Sequence, residues 1–228
     1  MEKHVLIIFP HPDDEAFGVS GSIAQFTGSG TPVTYMCLTL GEMGRNMGNP
    51  PFATRESLPE VRKQELLKAA DVLGIKDLRM MGLRDKTIEF EDPEKLVGIF
   101  IDAINELDPS LIITFYPGYS VHPDHDACGA AVIEAVRRLP ESKRPKVECV
   151  AFSHNCEEEL GKPDVIRDVS KFMNKKLDTL DAHKSQTAGL MAGMKKRLQA
   201  NEEELMNWIQ FERFWTYPFE NNDEKTGS

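Results

Sequence analysis

The stretch Val5-Leu6-Ile7-Ile8-Phe9-Pro10-His11-Pro12-Asp13-Asp14-Glu15 joins five apolar residues to a cluster of ionisable ones. The apolar run predicts a fully buried β-strand, and Pro10 and Pro12 prevent a strand or a helix from continuing beyond it. The ionisable side chains therefore follow the carboxyl end of a buried strand. In open α/β sheets ligands bind at that edge, so this stretch predicts a functional site as well as a strand.

A second stretch repeats this order much later in the chain. The apolar residues 111–116 are followed, after a short segment containing Gly118, by His122-Pro123-Asp124-His125. In either stretch an aspartate could simply cap a helix, because Asp suits the N-cap and the first helical turn. Capping requires neither histidines nor a matching motif after another strand, so we favour a site shared by both stretches.

The composition sets limits on the partners. The 228 residues include 37 acidic and 27 basic ones, with a formal net charge of -10, which argues against nucleic acid and anionic membranes as partners. No linker or repeat divides the chain, so we expect residues 1–228 to form one domain. The sequence shows no signal peptide and no membrane-spanning run. Reduced thiols in a cytoplasmic protein are expected, because no Cys-x-x-Cys pair occurs among Cys37, Cys128, Cys149 and Cys156.

Strands and helices alternate along the rest of the chain. The predicted strands cover residues 5–9, 33–40, 78–81, 111–116 and 147–152, and the predicted helices include residues 15–28, 58–73, 93–108, 170–184 and 189–211. This alternation predicts a three-layer α/β fold with a doubly wound, mostly parallel, Rossmann-like sheet and a strand order near 3-2-1-4-5. Strands 1 and 4 are neighbours in that order, so both motifs would face one crevice. No Gly-x-Gly-x-x-Gly follows strand 1, which argues against a dinucleotide site.

Two segments have no clear periodicity. Residues 41–57 form a long predicted loop, and such loops are usually functional or disordered; it is either a lid over the first motif or a plain surface excursion. The end of the chain is rich in aromatic residues that could pack on the core, line the mouth of a pocket or contact another subunit. We favour core packing for these residues, which are Phe211, Phe214, Trp215, Tyr217 and Phe219.

The two motifs together supply the ligands of a catalytic metal site. Two histidines and one carboxylate with open positions are typical of catalytic zinc, whereas structural sites usually have four protein ligands. The first motif offers His11 and one of two adjacent aspartates, and the second offers His125. Adjacent residues cannot both bind one ion without strain, so one of Asp13 and Asp14 should bind the metal and the other act as a base. The expected cofactor is Zn²⁺, with Fe²⁺ as the alternative because the same ligands accept it.

Several motifs carry a resemblance to a known family. They are Pro10-His11-Pro12-Asp13-Asp14-Glu15, Thr39-Leu40-Gly41-Glu42, Arg62-Lys63-Gln64-Glu65-Leu66, His122-Pro123-Asp124-His125 and His183-Lys184-Ser185-Gln186. With them the chain resembles the PIG-L/LmbE-like zinc-dependent N-deacetylases, and within these the bacillithiol biosynthesis deacetylases, which act on N-acetylglucosaminyl malate. The resemblance implies a hydrolase that removes acetate from this small N-acetylated sugar substrate, and it suggests a homo-oligomer.

The resemblance also implies roles for individual residues. The metal ligands would be His11, Asp14 and His125, with Asp13 as the general base. A protonated His122, oriented by Asp124, would be the electrostatic or general-acid partner. Residues expected near the substrate are Arg62 at the sugar, Asp85 as an acceptor for sugar hydroxyls, Arg45 in the specificity loop and Tyr119 beside the oxyanion. His183 is expected to support the site without binding the metal.

Other functions fit parts of the pattern. His11-x-Asp13 with a distant histidine also occurs in iron(II) oxygenases, but that class would leave His122 and Asp124 unexplained. A non-catalytic sugar-binding module would be expected to have lost Asp13 or His122, and both are present. An amidase acting on thiol (bacillithiol) conjugates, or a deacetylase of another N-acetylated sugar, would use the same metal chemistry, and only the shape of the pocket distinguishes these from the favoured function.

Overall fold

Seven strands form one sheet in the computed structural model of the protein, which describes residues 2–219 apart from the side chain of Lys195. The strands are β1 (Val5–Phe9), β2 (Val33–Thr39), β3 (Asp77–Leu83), β4 (Leu111–Phe115), β5 (Lys146–Val150), β6 (Val165–Asp168) and β7 (Phe211–Thr216). Their order is β3-β2-β1-β4-β5-β7-β6. The first five are parallel, and β7 runs antiparallel to both β5 and β6. The predicted 3-2-1-4-5 order is confirmed.

Helices follow most of the strands. They are α1 (Asp14–Gly18), α2 (Ser20–Gly28), α3 (Leu58–Leu73), α4 (Pro93–Leu107), α5 (Pro123–Arg137), α6 (Cys156–Leu160), α7 (Met173–Ala182), α8 (Lys184–Gln199) and α9 (Glu203–Gln210). Short 3-10 turns at Ile88–Phe90, Glu141–Lys143 and Ser170–Phe172 complete the connections. Among the described residues, the structure has no helix whose length and apolar character would let it cross a bilayer.

The core has three layers because successive strand side chains point to opposite faces of the sheet. Leu6 and Ile8 of β1 pack in a cluster with buried residues of α4 and α5. Val5 and Ile7 belong to the cluster on the other face, which contains buried residues of α2 and α3. Strand β1 is therefore covered on both sides, as its uninterrupted apolar run predicted.

Two of the predicted helices are each divided in the structure. The single helix expected for residues 15–28 is broken at Val19, whose φ of -143° is not helical. The helix expected for residues 189–211 is in fact α8 and α9, separated at Asn201, whose φ of +50° is left-handed. Asn is one of the residues that tolerate this conformation at helix ends.

Strands β6 and β7 are absent from the sequence prediction. The six residues of β7 had been assigned partly to a helix and partly to the aromatic tail. In the structure the tail packs on the core, as favoured: Phe214 is fully buried on one face of the sheet, and Tyr217 and Phe219 pack against the cluster on the other face. Pairing of β7 between β5 and β6 thus extends the parallel sheet with an antiparallel edge.

Candidate metal centre and active site

The two motifs lie side by side because their strands are neighbours. Strands β1 and β4 pair in parallel, with Val5 opposite Leu111 and Ile7 opposite Ile113. Each motif follows the carboxyl end of its strand, so both reach the same edge of the sheet. His122 caps α5 and places His125 in its first turn. The predicted crevice at the point where the strand order reverses is therefore formed.

The three expected metal ligands form a compact triangle of donor atoms. His11 Nδ1 lies 3.2 Å from His125 Nε2 and 3.5 Å from Asp14 Oδ2. His125 Nε2 lies 3.3 Å from Asp14 Oδ1. Ligands about 2.05 Å from a tetrahedral zinc ion are separated by about 3.3 Å. The spacing of the three side chains thus fits one zinc ion.

The hydrogen bonds of the two histidines leave their facing nitrogens free for a metal. His11 Nε2 is 3.1 Å from a carboxylate oxygen of Asp124 and 3.1 Å from one of Asp85. His125 Nδ1 is 3.0 Å from the carbonyl oxygen of Ser120. A ring N–H directed at each acceptor leaves a lone pair on the other nitrogen. Two lone pairs that face each other beside a carboxylate make a site for a cation.

The charge around His11 also favours a cation. Burial by itself lowers the pKa of His11, but its hydrogen bonds to Asp124, Asp14 and Asp85 outweigh burial and raise this pKa well above the usual range. The pKa of Asp14 is shifted in the opposite direction, far below its usual range: burial raises it, but His125 and His11 outweigh burial. A metal ion supplies the positive charge that these carboxylates require, and the donor set fits it.

Asp13 is held beside the triangle without belonging to it. Its Oδ2 lies 3.0 Å from Arg62 Nη2, and its backbone has a left-handed φ of +92°. Burial raises the pKa of the Asp13 carboxyl to about 6, and neighbouring Asp14 adds to the rise, while Arg62 limits it. A carboxyl that titrates near neutral pH is suited to exchange protons during a reaction.

Arg62 holds the carboxylate of Asp13 in place. It was expected near the sugar, but its side chain is only 4 % exposed and donates to the carbonyl oxygens of Gly41, at 2.8 Å, and Pro12. Gly41 is essential to this arrangement because its φ is +62° and a Cβ there would lie 1.9 Å from Arg62 Nη1. Arg62 also lines the cavity, and its guanidinium is held by Asp13 and by these two carbonyl oxygens.

The structure corrects the expected link between Asp124 and His122. The carboxylate of Asp124 lies against His11 and accepts the backbone N–H groups of Lys86, at 2.7 Å, and Ile88, at 3.1 Å. Its contact with His122 is made by its backbone N–H, which donates to His122 Nδ1 at 3.1 Å. Asp124 therefore orients His11 with its side chain and His122 with its main chain. The reason is geometric, since His122 is the N-cap and Asp124 the second residue of α5.

His122 is neutral in this arrangement, in contrast to the protonated form expected from the sequence. Because Nδ1 accepts a hydrogen bond, its ring proton lies on Nε2. Burial lowers the pKa of His122, and the neighbouring imidazoles of His11 and His125 lower it further. His122 thus offers an N–H donor rather than a positive charge.

The remaining expected substrate residues divide into two groups. Asp85 and Arg45 line the cavity; Asp85 is buried and also accepts the backbone N–H of Met43 at 2.8 Å. Met43, Gly44 and Arg45 of the 41–57 loop form one wall of the cavity. Tyr119 does not line it, and its hydroxyl donates to Glu159 at 2.8 Å. The structure therefore does not bring Tyr119 to the expected position beside the reacting group.

A buried pair behind the site links the first motif to His183. His183 Nε2 lies 2.5 Å from Glu15 Oε1, and Glu15 Oε2 accepts the backbone N–H of Asp13 at 3.1 Å. His183 lies in the His-Lys-Ser-Gln motif and supports the loop of Asp13, as expected of a residue that does not bind the metal. Glu15 was part of the first motif but had been given no role; its position directly after two aspartates was the available signal.

The cavity at this site has a volume of about 800 Å³. Its lining includes the metal triangle, Asp13 and His122. A second group of lining residues, called here the β7 wall, consists of Phe17 of α1, Lys176 of α7, Trp208 of α9, and Phe211, Glu212 and Arg213 of β7. Of these, only Phe211 had been considered from the sequence, as an aromatic residue that could line the mouth of a pocket. A cavity of this size accommodates a substrate larger than one sugar ring.

Comparisons with known proteins identify relatives of this chain. A sequence model of the family described as "PIG-L: GlcNAc-PI de-N-acetylase" matches residues 6–136. The chain is 53% identical over 223 residues to a Bacillus anthracis protein named "Probable N-acetyl-alpha-D-glucosaminyl L-malate deacetylase 2", covering 98% of this chain and 99% of that one. It is 52% identical over 217 residues to a Bacillus subtilis protein of the same name, covering 95% and 98%.

A solved structure confirms the fold. N,N'-diacetylchitobiose deacetylase from Pyrococcus horikoshii is similar with a TM-score of 0.72 and 24% sequence identity, over 95% of this chain and 84% of that one. The residues matched by the family model run from β1 through nearly all of α5 and so include both motifs. With this match and relatives of about half-identical sequence along nearly the whole chain, the chain belongs to the PIG-L family of de-N-acetylases.

Proposed function

We propose that the protein is a zinc-dependent deacetylase that releases acetate from N-acetyl-α-D-glucosaminyl L-malate, a step of bacillithiol biosynthesis. The observation that carries this proposal is the triangle of His11, Asp14 and His125 with the carboxyl of Asp13 beside it. A metal site with open positions next to a proton acceptor is what hydrolysis of an amide requires. The names of the Bacillus relatives support the substrate.

The residues around the cavity supply the other groups that the reaction needs. When bound, zinc would act as a Lewis acid and bring the pKa of water towards neutrality. Asp13 would accept a proton from the water that attacks the acetamide carbon, and Arg62 and the Glu15–His183 pair would hold this base in place. The Nε2–H of His122 would donate to the oxygen that gains negative charge. Asp13 would then return its proton to the amine, because an unprotonated amide nitrogen leaves poorly.

The ligand set supports zinc but also accepts iron(II). We propose zinc because two imidazoles and one carboxylate with open coordination positions are the usual ligands of catalytic zinc in hydrolases. Metal analysis of protein purified from its natural host, without added metal, tests this choice. Iron as the main metal, together with activity that is lost on oxidation, would contradict it.

The test of function is the release of free amine by metal-reconstituted protein from three compounds. These are N-acetylglucosaminyl malate, N-acetylglucosamine and the amide of a bacillithiol–thiol conjugate. We expect the malate glycoside to be cleaved with the largest kcat/KM. The control is Asp13→Asn, which should lower kcat by about 10²–10⁴-fold, as expected for loss of a general acid–base group, while one equivalent of metal stays bound.

The outcomes distinguish the alternatives. Cleavage of the thiol conjugate with the malate glycoside left intact would identify an amidase acting on thiol conjugates. Equal rates on the malate glycoside and free N-acetylglucosamine would indicate a deacetylase of broader sugar specificity. Loss of metal from Asp13→Asn would mean that Asp13 is a ligand and that the assignment of Asp13 and Asp14 must be exchanged.

Three broader proposals accompany the function. One domain formed by residues 1–228 is supported by a single sheet that takes strands from both ends of the described chain. A cytoplasmic location is supported by four buried cysteines that form no disulfide. A homo-oligomer is proposed from the resemblance to the family, and light scattering after size-exclusion chromatography tests it.

A further inference from the structure

The β7 wall of the cavity combines three aromatic residues with three charged ones. Phe17 and Trp208 form this wall with their ring centroids 6.4 Å apart, and Phe211 and Arg213 of β7 continue it. Trp208, Phe211 and Arg213 all lie outside residues 6–136, which the family model matches. This wall is therefore a place where specificity can differ among proteins that share the metal site.

Arg213 presents a guanidinium in this wall that is not neutralised by a carboxylate. Its Nη2 donates to Asn207 Oδ1 at 2.9 Å, and its Nη1 donates to the carbonyl oxygen of Phe211 at 3.3 Å. Within residues 2–219, no Asp or Glu side chain forms an ion pair with it. Arg213 is half-buried, and a partly desolvated positive charge next to aromatic rings favours an anion as its partner.

The neighbouring charges of the wall are already paired with each other. The ammonium of Lys176 is buried and lies 3.1 Å from Glu212 Oε1. Glu212 also accepts the backbone N–H groups of Gly21, at 2.9 Å, and Ser22, at 2.7 Å. This pair contributes no net charge to the cavity, and it ties β7 to α2. The Lys176–Glu212 ion pair therefore holds the neighbouring backbone of Arg213 in place without adding net charge.

Two other cations that line the cavity are held less firmly than Arg213. Arg45 and Lys86 line the cavity from loops, and both residues are exposed to solvent. Their long side chains would lose rotamer freedom on binding an anion. The guanidinium of Arg213 is held by Asn207 and Phe211, and its remaining N–H groups are available to a carboxylate in the forked geometry that arginine prefers. Of these three cations, Arg213 is therefore the best preorganised to bind an anion.

We propose that Arg213 binds a carboxylate of the malyl group and so makes the enzyme select a glycoside with an anionic aglycone over a neutral one. This inference rests on the proposed function, since the acetamide must lie at the metal for the aglycone to reach the β7 wall of the same cavity. A cavity of about 800 Å³ that is lined by both the metal triangle and Arg213 accommodates a sugar joined to malate. Arg213 acts on binding and takes no part in the proton transfers.

The test compares two substrates of the same metal-loaded protein. N-Acetyl-α-D-glucosaminyl L-malate carries the carboxylates, and methyl N-acetyl-α-D-glucosaminide lacks them. We expect Arg213→Gln to lower kcat/KM for the malate glycoside by about 10–100-fold, as for loss of a charge-assisted hydrogen bond. The loss should lie in KM with kcat nearly unchanged, and the methyl glycoside should be hydrolysed as by the unmodified protein.

Two further variants separate recognition from folding. Arg213→Lys keeps the charge and loses the fork, so its selectivity should lie between those of the unmodified protein and Arg213→Gln. Arg138→Gln removes the same charge from the surface end of α5, where Arg138 pairs with Glu94, and should leave the ratio of the two kcat/KM values unchanged. If Arg213→Gln is poorly folded, the ratio of the two kcat/KM values in Arg213→Lys tests the role of Arg213 instead.

Each outcome has a distinct meaning. Equal losses on both glycosides in Arg213→Gln, or no loss on either, would overturn the role of Arg213 while the proposed function stands. An unmodified protein that binds one equivalent of metal and deacetylates neither glycoside would overturn the proposed function itself, and the inference with it.

Discussion

The side chain and the main chain of a single residue, Asp124, contact two different histidines. Its carboxylate faces the ring of His11, and its backbone N–H holds His122. We therefore predict that Asp124→Asn weakens metal binding by about 10–100-fold, the usual effect of losing a carboxylate that orients a metal-binding histidine. Competition with a chromophoric chelator measures the dissociation constant directly.

The control for this prediction is Asp126→Asn in the same helix. The carboxylate of Asp126 accepts the backbone N–H of Gly118 at 2.8 Å and forms no hydrogen bond or ion pair with His11 or His122, so metal affinity should stay unchanged. An Asp124→Asn protein with normal metal affinity and a lowered kcat would instead show that the side chain acts through His122, as the sequence first suggested.

The buried pair of His183 and Glu15 predicts a pH-dependent contribution to stability. Burial lowers the pKa of His183, but the carboxylate of Glu15 raises it above its usual value of about 6.5. A raised pKa in the folded state means that the stabilisation is fully present below about pH 6.5 and is lost as pH rises through the folded pKa. In metal-free protein, His183→Gln should thus cost more at pH 5.5 than at pH 9, by about 1–3 kcal/mol in the free energy of unfolding.

His4 provides a comparison with the opposite sign. Burial lowers the pKa of His4, so its neutral form is the one favoured by folding, and its ring accepts or donates a hydrogen bond to Thr34 at 2.9 Å. His4→Gln should cost more at high pH than at low pH. Urea unfolding at both pH values measures these differences. A cost of His183→Gln that does not change with pH would contradict a charged His183.

At the scale of the element, helix α5 must approach strand β4 closely to place His125. A Cβ added to Gly129 would lie 2.3 Å from the carbonyl oxygen of Phe115, which is main chain and cannot rotate away. We predict that Gly129→Ala destabilises the protein by about 1–3 kcal/mol, although alanine favours a helix by about 1 kcal/mol. Denaturant unfolding measures the change, and a shift of α5 should also lower activity by moving His125.

Gly98 is the matched control in helix α4. Apart from its chain neighbours and the backbone of its own helix, no atom lies within 4 Å of a Cβ built there, so Gly98→Ala should stabilise the protein by up to about 1 kcal/mol. If both substitutions had the same sign, helix propensity alone would explain them, and close contact between α5 and β4 would not be required.

The elements also show how far the sequence predicts the fold. Strands β1 and β4 were recognisable because each is a fully buried apolar run that ends at a proline or glycine segment. Strand β7 was not, because its residues continue the apolar spacing of α9 and its position depends on antiparallel pairing with β5 and β6, which no local pattern encodes. Glu212 and Arg213 were missed as cavity residues for the same reason.

The candidate site was predictable to the extent that it follows from strand order. Neighbouring parallel strands bring His11, Asp14 and His125 to one edge, and the structure shows their donor atoms within one triangle. The direction of individual side chains was less predictable. Tyr119 lies in a turn that includes Val121 with a left-handed φ of +51°, and such a local backbone conformation decides where a side chain points without leaving a pattern in the sequence.

At the scale of the whole molecule, a metal ion would join two segments that are far apart in sequence. His11 and Asp14 follow β1, and His125 belongs to α5 after β4. The folded state alone brings the three ligands together, so metal binding should stabilise it. At a free metal concentration 100 times the dissociation constant, the gain is about 2.7 kcal/mol, which corresponds to a rise in Tm of roughly 5–10 °C for a chain of this size.

Calorimetry of the chelated and reloaded protein measures this rise, and two variants assign it to the triangle. His125→Ala loses a ligand, so its Tm should respond little to added metal. Asp13→Asn keeps all three ligands and should show the full rise, even though it is expected to be nearly inactive. An unchanged rise in His125→Ala would place the ion elsewhere, because a metal held by His11, Asp14 and His125 cannot retain its affinity when one of its two imidazoles is removed.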